Sequence, residues 1–114
     1  MKTIINEEAL RATYVFLRSV YPFNTWKLPP PSKVEFEVTT ATEVMGEFDC
    51  EPLVIRLSSA RQSTVENLLR TTAHEMVHMK FYIEGKANYH HHDQSFRNHM
   101  RQINTLMGWD KLEL

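Results

Sequence analysis

With 114 residues and 42% hydrophobic side chains, the chain is long enough for one packed core and too short for two, so a single domain over residues 1–114 is expected. A formal net charge of −1 supplies no overall positive field for nucleic acid, and the lone cysteine, Cys50, excludes a disulfide framework and a four-cysteine zinc ribbon. No apolar run approaches the roughly 20 residues needed to cross a bilayer, and charges at Lys2, Glu7 and Glu8 break any signal-peptide pattern, so an intracellular, cytoplasmic chain with no membrane partner is expected.

The first predicted element is a helix from Asn6 to Val20. Leu10, Tyr14 and Leu17 recur at helical spacing, Asn6 is the N-cap candidate, and Glu7 and Glu8 suit the positive end of the helix dipole. Pro22 ends it. Pro29-Pro30-Pro31 makes the stretch to residue 33 a stiff connector, with Phe23 and Trp26 expected on the core. Val34, Phe36 and Val38 then alternate with Glu35 and Glu37. Val44 to Cys50 alternates again, and Leu53 to Leu57 forms a third strand after Pro52. The joining segments are short, which predicts a three-stranded antiparallel meander.

Ser63 to Glu84 reads as one helix, with Ser63 as N-cap, Glu66 completing a capping box, and Gly85 as the stop. Val65, Leu68, Leu69, Thr72, Met76 and Ile83 give its apolar stripe. A polar stretch from Lys86 leads into His90-His91-His92. A last helix follows, with Asp93 at its start, Phe96, Met100, Ile103 and Met107 as its buried stripe, and Gly108 at its end. The order helix, three strands, two helices predicts an α+β layer arrangement.

The long helix carries His74-Glu75-Met76-Val77-His78. Four residues of separation put His74 and His78 one turn apart on one face, where both imidazoles can reach a single Zn²⁺. Glu75 lies about 100° around the helix from His74, off the ligand line but within reach of water at the metal. Such a helix needs a third ligand, and any of His90, His91 or His92 can supply it from the loop before the last helix. His99 sits inside that helix and reads as a hydrogen-bonded core histidine. Arg97 and Arg101, one turn apart on the same helix, are the best candidates for contact with DNA phosphates.

These residues resemble the metal-binding core of the SprT-like zinc metalloproteases, the family that includes Spartan. The likeness rests on His74-Glu75-x-x-His78, thirteen intervening residues, and His92-x-x-x-Phe96, and it continues through His99 to Asn104 and upstream into Leu53 to Ser58. It implies a zincin-like minimal metalloprotease domain with His92 as third ligand and Glu75 as catalytic base. It also implies DNA-associated or DNA-crosslinked proteins as substrates. Asp93 stands where the family usually has glycine. Two rivals remain at this stage: an inactive zinc-stabilised module that binds DNA or protein, and a metal-free helical interaction domain.

Overall fold

The computed structural model describes residues 5–62 and 64–110. Its elements are α1 (Glu7–Arg18), β1 (Glu35–Thr39), β2 (Gly46–Asp49), β3 (Val54–Ser58), α2 (Val65–Ile83) and α3 (Gln94–Met107), with short 3-10 turns at Phe23–Thr25 and Pro31–Lys33. The α+β class expected from the sequence is what the chain adopts.

α1 starts at Asn6, which is extended and whose side-chain oxygen accepts the Ala9 N–H at 2.7 Å. Leu10, Tyr14 and Leu17 on its inner face are fully buried. The proline-rich connector is tied to this helix. Tyr14 Oη donates to the Pro29 carbonyl at 2.6 Å, and Arg18 Nε donates to the Leu28 carbonyl at 3.1 Å. Phe23 is fully buried against Trp26, as the sequence led us to expect.

The sheet is mixed, with strand order β1-β3-β2. This corrects the expected antiparallel meander: β2 pairs antiparallel with β3, but β1 pairs parallel with it. Period-two alternation specifies which face a residue takes and says nothing about which strand lies beside which. Residues 40–45 need only step across one strand, a distance of about 10 Å at the usual strand spacing. They do so over the C-terminal end of β3. The Ser58 N–H donates to the Met45 carbonyl at 3.0 Å, and Arg61 and Gln62 side chains donate to the Thr42 and Met45 carbonyls at 2.8 and 3.1 Å. β3, the most apolar strand, thereby takes the middle, and β2 becomes an edge.

α1 and α2 pack on one face of the sheet, the face of Phe36, Val38, Gly46, Phe48, Ile55 and Leu57. On the other face Arg56 bridges the three strands, holding Glu37 and Asp49 at 2.9 Å each. The N-cap of α2 is Thr64, whose hydroxyl accepts the Asn67 N–H at 3.0 Å. Ser63, the expected cap, lies outside the described residues, and Glu66 pairs with Arg70. Val65 and Ile83, counted in the apolar stripe, are 62% and 43% exposed because they stand at the two ends of the helix, beyond the sheet and α1. Leu68, Thr72 and Met76 are buried as expected.

Ile55 is fully buried at the centre of the sheet. Ile55→Ala should lower the unfolding free energy by about 2–5 kcal/mol, whereas Val15→Ala on the outer face of α1 should change it by no more than about 0.5 kcal/mol. Urea unfolding of the two variants checks the contrast, and equal effects would contradict this account of the core.

Candidate metal centre

Four elements build the site: α2, the loop after it, the start of α3 and the edge strand β2. α2 supplies His74 and His78 from one face. Gly85, at φ +79°, takes the left-handed conformation that lets the chain leave the helix and fold back along it. The returning loop is closed by Asp93, the N-cap of α3. Its carboxylate accepts the Phe96 N–H at 3.0 Å and the Asn88 side-chain amide at 2.6 Å. Those two hydrogen bonds hold its carboxyl below the ordinary carboxylate range, the Phe96 N–H most strongly. Asp93 has φ −77° and ψ −175°, an ordinary extended backbone, so aspartate is accommodated here without strain.

The capped turn aims His92 at the α2 pair. Its Nε2 lies 3.0 Å from Nε2 of His74 and 3.3 Å from Nε2 of His78, and one ligand atom from each residue falls within 4.8 Å of the other two. Donors arranged tetrahedrally at about 2.0–2.1 Å from a zinc ion stand about 3.3 Å apart, so the three imidazoles fit a single ion. His78 Nδ1 lies 2.8 Å from the Tyr89 carbonyl. A proton on that nitrogen leaves the Nε2 lone pair facing the cluster. Burial lowers the pKa of His78, and it lowers that of His92 with help from the Arg97 charge. Both shifts favour the neutral imidazole that a metal requires.

Phe96, fully buried, lies beneath all three rings. Its centroid is 4.4 Å from that of His78 and 4.7 Å from that of His92, both stacked, and 4.8 Å from that of His74, edge-on. Behind the loop, Tyr89 packs on Tyr82 and Phe48, and its hydroxyl lies 3.3 Å from Cys50 Sγ. Aromatic packing is what both tyrosines show. Cys50 is partly buried in the same cluster.

Glu75 is 4% exposed, and burial, reinforced by the charge of Glu47, raises its pKa to about 8. A cation beside it would oppose that rise. Glu75 and the three ligand histidines border a groove of about 250 Å³ whose other side is Gly46, Glu47 and Phe48 of the free edge of β2, with His90 at the rim. His90 and His91 meet edge-on, outside the ligand cluster. His99 Nδ1 donates to the Ser95 carbonyl at 2.8 Å, and the ring packs on Trp26 and Phe81, outside the metal cluster. Arg97 and Arg101 are both exposed on α3. The edge-strand residues and the Tyr89 carbonyl were missed by sequence reasoning. Only the alternation at Val44 to Cys50 hinted at the first, and a main-chain carbonyl leaves no residue-type signal at all.

An α+β fold carrying H-E-x-x-H on a buried helix, with a third histidine folded back onto it, brings together three imidazoles that could hold one metal ion. The model of the SprT-like family matches residues 16–113, and the chain belongs to that family. Among curated proteins, none matches it.

His92→Ala should remove stoichiometric zinc, because two helix-borne imidazoles alone form a poor chelate. His90→Ala and His91→Ala should retain about one ion per chain. Elemental analysis after gel filtration decides it, and loss of metal from His90→Ala would reassign the third ligand.

Proposed function

We propose that this chain is a zinc metalloendopeptidase that hydrolyses peptide bonds with Glu75 as general base. The observation that carries this reading is a buried carboxyl, 4% exposed, bordering the same groove as three converging imidazoles, a groove open along a strand edge. His74, His78 and His92 would hold Zn²⁺, which would supply Lewis acidity for a peptide carbonyl and make water a stronger acid, with a pKa towards about 7. Glu75 accepts a proton from the attacking water and delivers one to the departing amine. The free edge of β2 offers backbone N–H and C=O groups to an extended substrate, which gives affinity with little demand on sequence.

The cluster supports a reactive centre over an inactive zinc-stabilised module. Structural zinc sites close with four protein ligands. Among the described residues, the ligand cluster has three. Glu75→Gln keeps the size of the side chain and cannot take up the proton. Cleavage of an unstructured protein such as casein should therefore fall by about 10²–10⁴-fold with zinc content unchanged. An undiminished rate would remove Glu75 from this role.

Likeness to SprT-like proteases extends the proposal to DNA-associated or DNA-crosslinked proteins as substrates, in the cytoplasm or on DNA. With a net charge of −1, contact with DNA must come from a local patch, and exposed Arg97 and Arg101 are the residues we assign to it. Two phosphate contacts on single-stranded DNA should give a log–log salt slope of only about −1.4. Replacing both arginines by Glu should weaken binding in fluorescence anisotropy while zinc stays bound. Absence of binding at low salt would make the enzyme a general or partner-directed peptidase.

A further inference from the structure

A second cavity, of about 300 Å³, adjoins the metal groove and shares Gly46, His74 and Glu75 with it. It runs from Glu75 along the first half of α2, past Thr71 and Arg70, and is walled on the other side by Val44 and Met45. An extended peptide lying on the free edge of β2 would direct alternate side chains towards α2. One of them, next to the bond held over the histidines, would enter this cavity.

The lining decides what that side chain can be. Val44 and Met45 are 40% and 39% exposed, large apolar groups standing at the mouth of a cleft. Charge on the opposite wall is answered within the protein. Arg70 pairs with Glu66 at 3.5 Å and lies over the Trp109 ring at 5.5 Å. An acidic substrate side chain would have to compete with Glu66 for Arg70 and would approach Glu75. A basic one would leave water to meet Arg70. An apolar side chain meets neither difficulty and covers Val44 and Met45.

Gly46 sets the width of the cleft. A Cβ at this position would lie 2.8 Å from Leu57 Cδ2 and 2.9 Å from Thr71 Cγ2, so the missing side chain lets β2 close onto α2. Both cavities are bordered by that contact.

We propose that this cavity is the subsite for the substrate residue adjoining the scissile bond, that it takes an apolar side chain of Leu, Met or Phe, and that Val44 and Met45 determine that preference. The proposal rests on the peptidase reading for its position in the reaction, but its test reads binding alone. Zinc-loaded Glu75→Gln protein would be titrated, by anisotropy, with fluorescent Gly/Ser peptides that differ at one central residue: Leu, Phe, Ala, Glu or Lys. Leu and Phe peptides should bind roughly tenfold tighter than the Ala, Glu and Lys peptides, as partial burial of a few methylene groups requires. Adding Met45→Glu, a change at an exposed position, should flatten the series while zinc content and circular dichroism stay the same. Equal binding of all peptides, preference for a charged one, no binding at all, or a preference that survives Met45→Glu would each overturn the subsite. If the preference is present and wild-type protein cleaves none of the peptides or casein, the cavity stands as an apolar side-chain site for bound peptide, and the peptidase reading fails together with the scissile-bond position that rests on it.

Discussion

The histidine cluster depends on one buried ring. Phe96 is the floor on which His74, His78 and His92 rest, and it reaches them from a third element, α3. An imidazole on a bare helix surface can turn about its terminal torsion, which is broad and weakly restrained. Packed on a common aromatic surface, the three rings lose that freedom together, and their Nε2 atoms stay converged. The placement of Phe96 rests in turn on Asp93, which caps α3 through the Phe96 N–H itself. One residue thus fixes the start of the helix, and the next turn of that helix fixes the site.

The sheet contributes through its order. With β3 in the centre, its apolar residues are covered on both sides by neighbouring strands, and β2 is left with one unpaired edge beside α2. The close approach at Gly46 then joins the width of the groove to the packing of Leu57 and Thr71, two buried residues. A change in the core under β2 is therefore also a change in the groove. This linkage explains why a position with no chemistry of its own tolerates no side chain without a shift of its neighbours.

The parts of the site legible in the sequence are those that repeat with the helix. His74 and His78 lie one turn apart by arithmetic alone, and Asn6 and Asp93 act at the helix starts where their residue types suggested. The choice of His92 from three adjacent histidines needed the Phe96 spacing and the family likeness, since periodicity cannot order residues in a loop. The parallel pairing of β1 with β3 was not legible, because a six-residue connection fits a hairpin or a crossing equally well. The cap at Thr64 shows the same limit on a smaller scale: Ser63 and Thr64 are both good caps, and only the backbone decides between them. The Tyr89 carbonyl that orients His78 belongs to an atom every residue has.

The ligands are also unevenly distributed along the chain. Two come from the interior of α2, and the third follows after thirteen intervening residues, at the far end of the returning loop. A metal held by all three would close that loop as a removable cross-link, restricting the unfolded chain much as a covalent bridge does. In a chain with a single cysteine, this is the one position where the described residues offer such a tether. The segment it would fasten, from Lys86 to Asp93, carries both the ligand and the cap of α3. Occupancy would then act as a ratchet on the last third of the fold, tightening the C-terminal helix onto α2 when the ion is present and loosening it when it leaves, with the sheet and α1 little affected.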